Sequence, residues 1–266
     1  MDVKDKVVIV TGGARGIGYA IVEHFLKNGA QYVGVFDLFE RDDDRVTNSF
    51  SKLAGTFEES RFEYYRCDVT DDKQFRDNYM KVFKLKNYVD VLVNNAGVAD
   101  ENNYARMIDI NYTAVVRGTL IAIEHMRLDK GHKGGVVVNI ASFLGLVNAS
   151  LAPVYNGTKH AVVSFTRSMK SHFDKLGVRV NAVCPGMTVT DMIEPSTMRK
   201  NVFEFVTDEM VHEPLSIYQQ KPDNVAFAVV EIVLKGKPGD VWLAQNDEPY
   251  VNTGEETDLN KLRVPF

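Results

Sequence analysis

The sequence is poor in cysteine: Cys67 and Cys184 are its only two among 266 residues. Two thiols in separate apolar stretches exclude a disulfide scaffold. They also exclude a cysteine-rich zinc site, which needs clustered ligands, so no metal is expected. Both read as buried, reduced thiols of an intracellular protein. A long apolar run is missing too. The one extended window nearly free of charge, residues 134–160, holds Asn139, Asn148, Pro153 and Asn156. It reads as a strand, a loop and a helix start, not as a membrane span. The opening Met1–Lys6 has no apolar core of a secretory signal, so the expected location is the cytoplasm. Basic charge is not in excess either. The net charge of −5 leaves no electrostatic footprint for nucleic acid or an anionic membrane.

What is present is ordinary for a globular chain: 45% hydrophobic and 25% charged residues, with 19 Gly and 8 Pro. That excludes a disordered or collagen-like protein. The length admits one large α/β domain or two small ones.

Seven short, β-branched, largely apolar runs read as strands: 7–10, 32–36, 62–67, 89–93, 135–140, 178–184 and 241–244. Runs apolar on both sides fit a parallel sheet covered on both faces. Helical patterns lie between them at 17–28, 71–86, 103–128 and 153–176, and Gly29 and Gly177 close the first and last. This alternation predicts a single-domain Rossmann fold over 1–266, a doubly wound seven-stranded parallel sheet with helices on both faces. Residues 188–221 have weak periodicity and mix Met192, Ile193, Phe203 and Met210 with many charges. They follow the sixth strand at the end where open α/β sheets bind ligands. They read as a substrate lid or as two surface helices, and the two readings are compatible.

The turn after the first strand runs Thr11-Gly12-Gly13-Ala14-Arg15-Gly16-Ile17-Gly18. Gly12 permits a tight turn, Gly16 lets the backbone approach a pyrophosphate, and Gly18 lets the helix lie close to the sheet. The helix start at Ile17 adds N–H groups and a positive dipole end. Asp37 ends the second strand, where a carboxylate accepts from ribose hydroxyls and repels a 2′-phosphate. That favours NAD over NADP. Arg15, a cation beside the loop, points the other way, and Asp37 carries more weight because it sits where the ribose lies.

Tyr155 and Lys159 are four apart on a predicted helix and share a face. Ser142 follows the fifth strand at the same end of the sheet as the glycine loop. Hydride transfer needs a group that takes the hydroxyl proton. A tyrosine titrates near pH 10, too high for that task unless a nearby cation lowers it. An ammonium at Lys159 would do so, and Ser142 could hold the substrate oxygen.

With these motifs in order, the sequence resembles the short-chain dehydrogenase/reductase family from Lys6 to about Ala244. The T-G-x-x-x-G-x-G loop is Thr11–Gly18, and N-N-A-G is Asn94-Asn95-Ala96-Gly97. Asp68 in Cys67-Asp68-Val69, Asn111, Ser142, the Y-x-x-x-K pair Tyr155 and Lys159, and P-G-x-x-x-T at Pro185, Gly186 and Thr190 follow. The resemblance implies NAD as cofactor and Tyr155 as general acid/base. It implies that Lys159 holds the nicotinamide ribose, Ser142 orients the substrate oxygen, and Asn111 holds a relay water. Asp68, Val69 and Asn94–Gly97 would line the adenosine side, and Pro185, Gly186, Thr188 and Thr190 the carboxamide end. Asn94 could equally tie neighbouring strands together. Within the family the likeness is greatest to the NAD-dependent hydroxyprostaglandin dehydrogenase and insect alcohol dehydrogenase branch. It departs from that branch at Asn156-Gly157-Thr158, at Ala152 and over 188–221. Substrate contacts are expected from Ser142, Ala152, Met187 and Met192. The expected substrate is a secondary or lipid-like alcohol, oxidised to a ketone or aldehyde. The alternative is a catalytically inert member of the fold that binds a nucleotide or acts as a scaffold. The resemblance also implies that the two longest helices, over 103–128 and 153–176, pair with a second subunit in a homodimer or homotetramer.

Overall fold

Every residue of the first strand, Val7–Thr11 (β1), is buried, because its side chains alternate between two helix-covered faces. Val8 and Val10 join one apolar cluster and Val7 and Ile9 the other. The structure, a computed structural model, describes residues 3–212, 219–248 and 250–253. The remaining strands are β2 (Tyr32–Asp37), β3 (Phe62–Arg66), β4 (Val91–Asn94), β5 (Gly135–Ile140), β6 (Val178–Pro185), β7 (Val241–Ala244) and β8 (Val251–Asn252). The sheet order is β3-β2-β1-β4-β5-β6-β7-β8. Strands β1 to β7 are parallel, as the alternating pattern predicts. The eighth is an addition: two exposed residues antiparallel to β7. So short and solvated a segment leaves no hydrophobic run to detect.

The helices are α1 (Gly16–Lys27), α2 (Asp44–Ala54), α3 (Asp72–Lys86), α4 (Tyr104–Ile108), α5 (Ala114–Met126), α6 (Pro153–Ser168), α7 (Phe173–Leu176), α8 (Pro195–Asn201), α9 (Asp208–His212) and α10 (Pro222–Lys235). Helices α2 and α10 are absent from the sequence reading. The expected helix over 103–128 is three pieces, because Asp109–Thr113 widens into a π turn between α4 and α5. The expected helix over 153–176 changes to a 3-10 turn at Met169–His172 before α7.

The strand order reverses direction between β1 and β4. Such a switch opens a crevice beyond the carboxyl ends of the strands. Into it run Gly12, Asn95, Ser142 and Gly186, each just past the end of its own strand. Segment 188–221 starts and returns beside it. A lone bridge between Thr188 and Gln220 ties its two ends together. Part of that predicted lid, 213–218, lies outside the described residues. Among the described residues no helix is long and apolar enough to cross a membrane.

Candidate active site

The glycine loop is shaped by conformation and by close approach. Gly12 and Gly16 have φ of +63° and +55°, a left-handed region that side chains disfavour. Helix α1 begins there with no side chain capping it, so its first N–H groups remain available to an anion. A Cβ on Gly16 would touch only Thr190 within 4 Å. An uncapped helix start beside an open glycine backbone fits a pyrophosphate, and the site therefore suits a dinucleotide.

Side chains from three strand ends hold this loop. The Asn95 amide donates to the Thr11 and Gly12 carbonyls at 2.9 and 3.1 Å. The Thr11 hydroxyl accepts from the Asn95 and Ala96 N–H groups, both at 3.0 Å. Asp37 accepts from Ala14 N–H at 2.9 Å and Leu38 N–H at 2.8 Å. Burial raises the Asp37 pKa against these two bonds and the nearby Arg15 and Arg45 cations. Arg15 itself forms a 2.5 Å ion pair with Asp191 at the start of the lid segment.

Asp68 pairs with Arg106 at 2.7 Å and accepts from Thr70. Burial opposes its charge, but Arg106 and Thr70 outweigh that and hold the carboxyl below its usual range. Val69 lies beside it, its carbonyl accepting from Arg117 at 2.9 Å. Asn94 turns the other way. Its side chain is buried and donates to Asn139, its register neighbour on β5, at 2.9 Å and to Thr119 at 3.2 Å. A buried amide must find partners, and here they are interstrand and interhelix groups. The tie between neighbouring strands is therefore what this side chain makes.

On the other side of the switch point, Ser142, Tyr155 and Lys159 come together. The Ser142 hydroxyl hydrogen-bonds the Tyr155 phenol, which lowers the Tyr155 pKa only in part: burial pushes it up to about 12. Lys159 lies 5.6 Å from the centre of the Tyr155 ring and donates to the Ile140 carbonyl at 2.9 Å. Burial brings its pKa down to about 8. The Cys184 thiol lies against the Ser142 backbone, and burial pushes it up to about 12. It is neutral and adds no charge to the site. Asn111 lies within the π turn, fully buried, with its amide bonded to both the Val98 N–H and carbonyl at 2.9 and 2.8 Å. Its Oδ1 and the Lys159 ammonium flank Gly97, at 3.4 and 3.6 Å from where a Cβ would stand.

Beyond β6, the Thr188 hydroxyl donates to the Gly186 carbonyl at 2.8 Å and accepts from Gln220 at 3.1 Å. Thr190 donates to the Thr188 carbonyl at 3.3 Å. Of the expected substrate contacts, Ala152 joins Leu151, Val202, Val206 and Val211 in an apolar cluster against Tyr155. Met187 and Met192 are not part of that cluster, and Met192 is 37% exposed. Two residues that sequence reasoning missed stand out. Gln220 is fully buried and joins Thr188 to the Ala244 carbonyl. Glu101 is buried with its carboxylate on α6. No local pattern marks either residue, since both act on groups far away in the chain.

Comparison with known proteins agrees with this geometry. The family model described as short chain dehydrogenase matches residues 6–201. The chain is 36% identical over 214 residues to the 15-hydroxyprostaglandin dehydrogenase [NAD(+)] of Rattus norvegicus, covering 79% of each chain. It is 28% identical over 246 residues to alcohol dehydrogenase 2 of Ceratitis cosyra, covering 92% of this chain and 93% of that one. Among solved structures, a short-chain type dehydrogenase/reductase from Mycobacterium marinum superposes with a TM-score of 0.77 at 23% identity. That match covers 92% of this chain and 95% of the other, and it supports the fold.

Proposed function

The chain belongs to the short-chain dehydrogenase family, and on that premise we propose an NAD-dependent oxidoreductase acting on a secondary or lipid-like alcohol. The observation that carries the reading is the meeting of Ser142, Tyr155 and Lys159 at the same end of the sheet as an uncapped, glycine-flanked helix start. Bound NAD supplies the hydride acceptor and a positive ring. Gly12, Gly16, Ile17 and Gly18 hold the pyrophosphate. Asp37 takes the adenosine ribose, and Asp68, Val69, Asn95, Ala96 and Gly97 line the adenosine and ribose path. Pro185, Gly186, Thr188 and Thr190 face the carboxamide end.

Tyr155 takes the substrate hydroxyl proton as general base. In the protein alone its phenol is at about 12, so it needs added positive charge to act near neutral pH. The Lys159 ammonium supplies part of that charge. Ser142 holds the substrate oxygen. The Asn111 side chain is occupied by Val98 and Thr158, so its part in the proposed water relay is to hold the π turn beside Lys159. The apolar cluster of Leu151, Ala152, Val202, Val206 and Val211 next to Tyr155 favours a substrate with an aliphatic body. Segment 188–221 acts as the lid, with Met187 and Met192 at its start. Self-association into a homodimer or homotetramer through α5 and α6 belongs to the same proposal and rests on the family likeness.

The test is direct. NAD and a panel of secondary alcohols are mixed with the protein, and absorbance of the reduced nicotinamide is followed. Turnover is expected, fastest for the more apolar alcohols. Tight NAD binding without turnover of any alcohol would support an inert nucleotide-binding protein instead.

A second measurement concerns cofactor choice. Asp37→Ala is expected to lower the NAD-to-NADP ratio of kcat/KM by about a hundredfold, the effect of removing a like-charge clash with the 2′-phosphate. The ratio cancels any general loosening of the loop that Asp37 also holds. An unchanged ratio removes Asp37 from the selectivity role.

A further inference from the structure

Residues Glu101–Asn103 form a single 3-10 turn between β4 and α4. Its first two side chains reach in opposite directions. Glu101 is 1% exposed and points inward. Its Oε2 accepts from Val154 N–H at 3.0 Å and its Oε1 from Tyr155 N–H at 2.8 Å. These amides belong to the first turn of α6, which the residue at its own N-cap, Ala152, cannot serve with a side chain. A serine, threonine, aspartate or asparagine would ordinarily stand at that position. The helix that carries Tyr155 and Lys159 is instead capped from a residue 54 positions away from Tyr155. A buried carboxylate is costly unless both oxygens find donors. A helix N-terminus supplies donors and a favourable dipole together.

Asn102 is exposed and points outward. Its amide donates to the Lys200 carbonyl at 3.0 Å and to the Val202 carbonyl at 3.1 Å. That is the end of α8, where the lid segment turns into the cluster containing Val202, Val206 and Tyr155. One short turn thus grips both walls of the cleft: the helix bearing the phenol and the segment that covers it.

We propose that the Glu101–Asn102 turn is a positioning device for the reaction. Glu101 fixes the start of α6 and with it the placement of the Tyr155 phenol. Asn102 fixes the seat of the lid relative to that phenol. The proposal rests on the reading of Tyr155 as the base and of 188–221 as the lid.

Two variants test it, each by kinetics and by amide hydrogen exchange. Glu101→Gln places an NH2 group against one of the two N–H donors. It should lower kcat about tenfold with KM little changed, the effect of about one lost charge-assisted hydrogen bond expressed at the reacting group. Exchange at the Val154 and Tyr155 amides should quicken. Asn102→Ala should raise KM about tenfold with kcat held within about twofold, and exchange should quicken around Val202. A merely structural role would lower stability without splitting kcat from KM in this way. Wild-type kcat in Glu101→Gln, or wild-type KM in Asn102→Ala, overturns the proposal. If Glu101→Gln does not fold, the KM of Asn102→Ala decides alone, because its side chain is exposed. If the wild type turns over no alcohol, the oxidoreductase reading has failed. The exchange data then judge the turn by themselves, and unchanged protection at Val154, Tyr155 and Val202 overturns it.

Discussion

Tyr155→Phe is expected to lower kcat about a thousandfold, the scale of a lost general acid/base, while the NAD dissociation constant stays within about threefold. The substitution removes only the phenol oxygen. The ring remains against Leu151, Ala152 and Val206, so packing is conserved. The groups proposed to hold NAD's phosphates lie on the loop between β1 and α1, at the other end of the crevice. Turnover is read from reduced-nicotinamide absorbance and binding from a titration. Retained activity, or a loss of NAD binding, would remove the assigned role. The pH dependence has a definite sign. A base must be deprotonated to accept a proton, so alcohol oxidation should rise with pH and ketone reduction should fall. The Lys159 ammonium, held down to about 8 by burial, favours tyrosinate only while it is charged. Lys159→Ala should therefore move the rising limb of oxidation, which follows Tyr155 deprotonation, to higher pH.

Gly18→Ala should weaken NAD binding by about thirtyfold or more, equivalent to about 2 kcal/mol of overpacking in a site that cannot relax. A Cβ at this position would stand 2.0 Å from the Gly12 carbonyl oxygen and 2.6 Å from the Asn95 amide nitrogen. The first obstacle is backbone. The second is the side chain that fastens the loop, donating to the Thr11 and Gly12 carbonyls. Neither can yield without moving the turn that cradles the phosphates. The variant's NAD affinity and its melting temperature should both fall, and an affinity equal to wild type would show that the loop is not the phosphate cradle.

Much of this architecture is legible in one dimension. The strands β5 and β7 have the same bounds in the sequence reading and the structure, because a continuous apolar run between glycine or polar residues signals a strand covered on both sides. The glycine loop is legible because its neighbours in sequence are a strand and a helix. The pair Tyr155 and Lys159 is legible because a helical turn brings i and i+4 together. Less legible is the interruption at Asp109–Thr113. Nothing in the helical period of 103–128 announces a π turn, yet that turn contains Asn111, whose amide is locked onto Val98.

The contacts that pin the site run between distant segments. Asp37 bonds Ala14 across 23 positions, Gln220 bonds Thr188 across 32, and Glu101 bonds Tyr155 across 54. Asn94 pairs with Asn139 because β4 and β5 lie in register. A sequence motif shows only that such a residue is present. Whether its side chain enters the crevice or the sheet depends on strand order and register. The sequence by itself therefore determined the α/β class, the glycine loop and the Ser142, Tyr155 and Lys159 set, since each rests on spacing within one or two elements. The tertiary structure decided which side chains hold those groups in place. A buried carboxylate or amide is stable only where the fold brings it a partner, and that partner is set by packing across the whole chain.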